Sequence, residues 1–257
     1  MLSLLRRILY TGILGLAMTI CDSVQAGSSK YGWEISGATD PQSATVVLLH
    51  GLNRSYRSMR KLAEVLSGKG YRVVNLDYPS SRFPIAELGR QLGVALQQCC
   101  TPVPRGGLNF ITHSLGGIVL REYAGEARHL PIARVVMLGP PNQGSELTDK
   151  LRDIPFYKLL TGPAGQQLGT DSTSVPNRLG PVPFSLGVIA GNSSFNPLYS
   201  WLIPGPDDGK VAVSRARVAG LKDFIVVDAS HSFMMNNPAV IHQSLVFLQQ
   251  GHFDHNP

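Results

Sequence analysis

From residue 44 onward, apolar and polar positions alternate between two periods. Ala44 to His50 (ATVVLLH) is a nearly unbroken apolar run, as in a strand covered on both faces. Ser55 to Leu66 then places Met59, Leu62, Ala63 and Leu66 at helical spacing, closed by Gly68 and Gly70. The exchange repeats: strand at Tyr71–Leu76, helix at Ile85–Cys99, strand at Leu108–Thr112, helix at Leu115–Arg128, strand at Ile132–Leu138. Strands separated by helices predict an α/β fold, a mostly parallel sheet with helices on both faces. Right-handed crossovers bring the strand C-termini to one edge, where such folds bind and react.

Residues 145–184 interrupt this rhythm. A helical start over Glu146–Leu160 gives way to a stretch broken by Gly162, Pro163, Gly165, Gly169, Pro176, Gly180, Pro181 and Pro183. An insertion of this length over the strand ends predicts a small cap or lid. Strands resume at Phe184–Ala190 and Phe224–Val227, and Ala239–Gln249 predicts a terminal amphipathic helix. No internal repeat and no boundary for a further domain is visible.

The N-terminal pattern is different in kind. MLSLLRR is a basic lead, residues 8–21 are apolar and uncharged, and Val24-Gln25-Ala26 reads as a cleavage site. The apolar run falls short of the ~20 residues of a comfortable membrane span. Residues 1–26 are therefore expected to be a cleaved export signal, with an N-terminal membrane anchor as the alternative. Residues 27–257 are expected to form one domain, exported to the periplasm or secreted. Cleavage removes Arg6, Arg7 and Asp22, so the formal charge drops from +6 to +5. It also removes Cys21 and leaves the adjacent pair Cys99-Cys100, whose ring would be strained as a disulfide. Two buried or half-buried thiols are expected there.

Composition narrows the function classes. With 43% hydrophobic and 16% charged residues, the chain is not of the disordered class. No Lys/Arg run reaches the density of a nucleic-acid patch. The cluster Arg54, Arg57, Arg60, Lys61 has helical spacing and is expected to be a solvated helix face.

The chemistry concentrates at Thr112-His113-Ser114-Leu115-Gly116-Gly117, between a predicted strand and a predicted helix. A serine on such a turn projects Oγ above the sheet, and small neighbours let helix and strand approach. The first position of the elbow is Thr112 rather than glycine, and its Cβ must be accommodated. Ser114 read alone is also a plain helix N-cap. His50-Gly51-Leu52 ends the first strand. The sharp turn that Gly51 permits would aim the Leu52 N–H at a reacting carbonyl, and with the Leu115 N–H it would form an oxyanion hole. His50 is expected to be a hydrogen-bonded residue beneath that site.

His231 is the candidate base, in the loop after the last strand. His113 is expected to be tucked in, and His129 to end a helix. A metal site from His252, Asp254 and His255 is disfavoured, because a terminal segment is expected to fray. For the acid, Asp208 before Gly209 is preferred, with Asp207 the close alternative and Asp228 at a strand end. Ser58-Met59-Arg60-Lys61 matches the S-x-x-K of penicillin-recognising enzymes but lacks their partner motifs.

The segments VVLLHGL, ITHSLGG, MLGPPNQGS, DDGKV and ASHSFMMNNPAV together resemble the α/β hydrolases of the lipase/esterase kind, over residues 45–250. The resemblance implies hydrolysis of carboxylic esters through an acyl-enzyme. Ser114 would be nucleophile, Asp208 acid and His231 base, with Leu52 and Leu115 as oxyanion donors. It implies no cofactor and no metal, a small acyl ester or lipid substrate, no nucleic-acid partner, room for peripheral membrane contact, and a monomer. The family often begins with extra antiparallel strands. Only residues 30–43 are available for them, so a reduced sheet is expected. Acyltransferase, thioesterase or amidase action would use the same triad, and a non-catalytic binding protein could use the same scaffold.

Overall fold

The computed structural model describes residues 31–127 and 129–256. The expected export segment, residues 1–26, lies outside them. Seven strands form one sheet: β1 (Gly32–Gly37), β2 (Thr45–Leu49), β3 (Arg72–Asp77), β4 (Leu108–His113), β5 (Ile132–Leu138), β6 (Ser185–Gly191) and β7 (Asp223–Val227). Their order is β1-β3-β2-β4-β5-β6-β7, with β1 antiparallel to β3 and every other pair parallel. The reduced sheet expected from the short N-terminal stretch thus consists of the parallel set plus the single antiparallel strand β1.

The helices are α1 (Arg60–Gly68), α2 (Ile85–Cys99), α3 (Leu115–Ala124), α4 (Glu146–Leu151), α5 (Pro155–Gln166), α6 (Val175–Arg178), α7 (Pro197–Leu202) and α8 (Pro238–Gln250). Strand β2 shows why the pattern forms a two-sided core. Val47 and Leu49 pack with Leu88, Leu92 and Leu96 of α2 and Ile118 of α3. Val46 and Leu48 face the other way, onto Leu62 and Leu66 of α1 and Val240 and Phe247 of α8. Successive residues point to opposite faces, so a strand covered twice must be apolar throughout.

Three expectations change. Helix α3 stops at Ala124, capped by Gly125, rather than running to residue 128, so His129 stands in an exposed loop. The segment after α8 is tied down at Phe253, which is buried against Phe247 and whose N–H donates to Asp223 Oδ2 at 2.7 Å. His255 donates to the same carboxylate, and among the described residues no His, Cys, Asp or Glu cluster has a metal-binding arrangement. Residues 145–184 are more ordered than their glycines and prolines suggest. They carry α4, α5 and α6, and α5 is kinked at Gly162 (φ 59°) before Pro163. Cys99 and Cys100 are buried free thiols at the end of α2. No helix among the described residues is long and apolar enough to cross a membrane.

Arg121 of α3 ties the inserted segment to the sheet domain. Its buried guanidinium donates to Asn142 O and Oδ1, to Pro176 O and to Gly180 O, at 2.8–3.2 Å. Among the described residues no carboxylate pairs with it, and burial pulls its pKa down to about 10. Four carbonyl dipoles hold the charge in place instead.

Candidate active site

Ser114 sits between β4 and α3 with φ 53° and ψ −121°, a region a non-glycine residue rarely occupies. The turn is held by its N–H, which donates to Leu138 O at 2.9 Å. The Ser114 side chain makes no capping bond to α3. Its Oγ lies 3.0 Å from His231 Nε2 instead. The N-cap reading is therefore set aside.

The turn is possible because two glycines follow. A Cβ on Gly116 would come within 2.8 Å of the Leu49 and His50 carbonyl oxygens. A Cβ on Gly117 would stand 3.2 Å from Thr112 Oγ1 and 3.1 Å from Met137 Sδ. Thr112, the departure from the glycine pattern, is thus accommodated by Gly117 across the strand–helix contact. The threonine is fully buried and its hydroxyl has no partner among the described residues.

His231 follows β7 and is buried. Its Nδ1–H donates to Asp208 Oδ2 at 2.8 Å, and its own N–H donates to Asp208 O, also at 2.8 Å. The other carboxylate oxygen, Oδ1, accepts the Lys210 and Val211 N–H groups at 3.0 and 2.8 Å. Asp207, the close alternative, points elsewhere: its Oδ1 accepts from the Gly209 N–H and from Ser200 Oγ. Asp228 lies just beyond β7, with its carbonyl accepting from Asn237. The structure therefore brings Ser114, His231 and Asp208 into one hydrogen-bonded line, and leaves Asp207 and Asp228 out of it.

Two glycines that the sequence reading passed over make room for this line. A Cβ on Gly139 would meet Asp208 Oδ2 at 2.8 Å, and one on Gly191 would meet Ala229 O at 2.2 Å and Asp208 Cβ at 2.9 Å. Gly139 follows β5 and Gly191 is the last residue of β6, and a glycine at the C-terminal edge of the sheet is the signal that could have found them. His113 adds a brace. Its Nε2–H donates to the His231 carbonyl at 2.9 Å. Burial, then the field of His231, holds its imidazole well below the usual range, so it is neutral near pH 7.

The turn after β2 is built on a planar peptide. The Gly51 carbonyl accepts from His50 Nδ1–H at 2.8 Å and from the Arg54 N–H at 3.2 Å. In a trans peptide the N–H points opposite the carbonyl, so pinning Gly51 O fixes the direction of the Leu52 N–H. Neither the Leu52 nor the Leu115 N–H donates to any described protein atom. Gly51 is required for space rather than for a left-handed turn. A Cβ there would lie 2.7 Å from His113 Nδ1, whereas the left-handed residue is Asn53 (φ 55°). His50 is buried and bonded beneath the turn, as expected.

Ser114 and His231 open onto a cavity of about 330 Å³. Its lining is largely apolar, from Leu52, Leu147, Leu160 and Leu168, with Tyr157 and Tyr199 beside them. Helix α5 thus roofs the site from the inserted segment, and α7, which the sequence pattern did not predict, closes another side. The basic cluster divides. Arg60 pairs with Glu34, Lys61 donates to Asn236 O, and Arg57 lies over the Tyr56 ring, but Arg54 lines the cavity. Ser58, of the S-x-x-K match, donates to Ser55 O outside this site.

A family model described as the alpha/beta hydrolase fold matches residues 44–183. No curated protein matches the chain in sequence. Among solved structures it is similar to the mature form of Bacillus licheniformis lipase BlEst2, with a TM-score of 0.64 and 20% identity over 85% of this chain and 97% of that one. It is also similar to carboxylesterase CesB from Bacillus subtilis, with a TM-score of 0.57 and 15% identity over 89% and 90%. Phospholipase PlaB from Legionella pneumophila gives 0.56 and 18%, over 68% of this chain and 46% of that one. At such identities the likeness concerns the fold.

Proposed function

Starting from the premise that this chain belongs to the α/β hydrolase fold family, we propose that it is a serine hydrolase of carboxylic esters. The observation that carries the reading is the line Ser114 Oγ, His231 Nε2, His231 Nδ1, Asp208 Oδ2, with contacts of 3.0 and 2.8 Å. A serine hydroxyl is a weak nucleophile until a base takes its proton. His231 is placed to do so as Oγ attacks the acyl carbonyl, while Asp208 holds the tautomer and stabilises the imidazolium. The charge that develops on the carbonyl oxygen meets the Leu52 and Leu115 N–H groups. His231 then protonates the leaving alcohol, and water attacks the acyl-enzyme by the same route in reverse.

An acyl chain suits the apolar cavity. The outer faces of its roof are apolar as well: Phe156 and Leu159 of α5 and Leu198 and Trp201 of α7 are each 64–81% exposed. Exposed apolar residues on the two helices that border the cavity favour substrate drawn from a lipid surface, which fits the export reading for residues 1–26. Labelling with a fluorophosphonate tests the nucleophile: the wild type is expected to label, and Ser114→Ala is not. Equal labelling of the two would refute the assignment. Rates on p-nitrophenyl esters of increasing acyl length then place the enzyme between esterase and lipase behaviour, and N-terminal sequencing of protein recovered outside the cytoplasm checks the export reading.

A further inference from the structure

The cavity that opens on Ser114 carries two cations and no carboxylate in its lining: Arg54, from the turn after β2, and Lys210, two residues beyond Asp208. Among the described residues neither side chain forms an ion pair. Arg54 only donates to Ser232 O at 3.4 Å, and the Lys210 ammonium has no hydrogen-bond partner. The other carboxylates near the cavity are taken, Glu146 by Arg215 and Asp149 by Arg152 and Thr170. The two charges are close enough to act on each other. Desolvation first, and then the field of Arg54, lowers the Lys210 pKa, with Asp208 acting in the opposite sense. Both also push the buried His113 imidazole further down, so their fields reach the floor of the site. Both side chains are exposed at the cavity, and two like charges without carboxylate partners there make a positive potential that draws a negative group toward the opening.

We propose that the substrate is an anionic ester, and that Arg54 and Lys210 select it by its charge. This rests on the serine hydrolase reading and narrows it. The anion belongs to the alcohol portion. His231 Nε2 must face the leaving oxygen; Lys210 sits on the loop that carries Asp208, to whose Oδ1 its N–H donates, and the Arg54 guanidinium reaches from the turn after β2 to Ser232 O, next to His231. The Leu-lined remainder of the cavity is left for the acyl chain. A carboxylate or a phosphate meets the requirement, whether on a soluble ester or in a lipid headgroup, and Arg54 can hold either with two parallel N–H groups.

The test uses a matched soluble pair, 3-carboxyphenyl butyrate and its neutral isostere 3-carbamoylphenyl butyrate. The readout is the ratio of their kcat/KM values, which cancels general damage to the site. The wild type is expected to prefer the anion by about tenfold, falling as salt is added, and Arg54→Gln/Lys210→Gln is expected to bring the ratio to about one. An unchanged ratio in the double variant, or a wild-type preference for the amide, overturns the proposal. Preference for phosphatidylglycerol over phosphatidylcholine vesicles without any preference in the soluble pair also overturns it, because the charge would then be read by the surface and not by the cavity. Calorimetry of octyl phosphate with Ser114→Ala separates the two readings. If no ester is cleaved but octyl phosphate binds and the double substitution abolishes binding, the anion site stands and the hydrolase reading fails. If esters are cleaved through Ser114 but octyl phosphate does not bind, the anion site alone fails.

Discussion

The contact between Gly117 and Thr112 can be tested as a double-mutant cycle. In Gly117→Ala the new Cβ stands 3.2 Å from Thr112 Oγ1 and 3.1 Å from Met137 Sδ, both closer than comfortable contact. Overpacking of this kind costs about 1–3 kcal/mol. Replacing a helical glycine by alanine returns about 1 kcal/mol in propensity. The net expectation is a loss of about 1 kcal/mol. In a Thr112→Gly background the hydroxyl is gone, and only Met137 opposes the methyl. A methionine sulfur can move, so the same Gly117→Ala change is expected to be neutral or mildly stabilising. The coupling between the two sites is then about 1 kcal/mol, well outside the ~0.3–0.5 kcal/mol scatter of independent positions. Urea unfolding of the four proteins measures it, provided the slopes agree. Additive behaviour would refute the argument that Gly117 is what allows a threonine at the first position of the elbow.

Asp208→Asn is expected to lower kcat by about 10³–10⁴-fold with little change in KM, because the amide favours the wrong tautomer of His231. Asp207→Asn, whose amide oxygen can still accept from the Gly209 N–H and Ser200 Oγ and which lies outside the triad line, is expected to lower it by less than about tenfold; steady-state kinetics on one soluble ester decide between them. Arg121→Met strands the Asn142, Pro176 and Gly180 carbonyls and is expected to cost about 3 kcal/mol in denaturant unfolding, and Arg121→Lys is not expected to restore it, since an ammonium cannot span four acceptors in a plane. For Asp223, burial raises the carboxyl pKa, but bonds from the Phe253 N–H, His255 and the Phe224 N–H outweigh it and leave the pKa below its usual value. A depressed folded pKa means stability present above the unfolded value near 3.8 and lost as pH falls through the folded one. The stability advantage of wild type over Asp223→Asn is therefore expected to shrink as the pH falls below about 4.

Where the sequence pattern failed, it failed for want of burial. Strand β1 (GWEISG) pairs along one edge only and is mostly exposed or half-exposed, so it writes no apolar run. Helix α7 (PLYSWL) buries none of its residues fully, and a helix without an inward stripe has no period to read. Helix α5 carries Pro163 and Gly165, which argue for a loop. The chain keeps its helix there by breaking it at Gly162, whose Cβ would otherwise strike Ser81 O at 1.7 Å. The basic cluster at residues 54–61 reads as one solvated face, but Arg54 precedes the first helical turn and so escapes that face.

The sequence by itself determined the parallel core and marked Ser114 and His231 as candidates with an aspartate between them, because burial on two faces and a serine between strand and helix both leave a local trace. Only the tertiary structure decided between Asp208 and Asp207. Neighbouring residues in one turn carry the same chemistry, and the choice depends on which carboxylate meets an imidazole 23 positions away. It alone also placed Gly139 and Gly191 against the loops that carry Asp208 and His231, and Gly117 against Met137 of β5, and set Arg54 and Lys210 on one cavity 156 residues apart. Contacts of this kind follow from the approach of distant segments, and no local period or spacing records them.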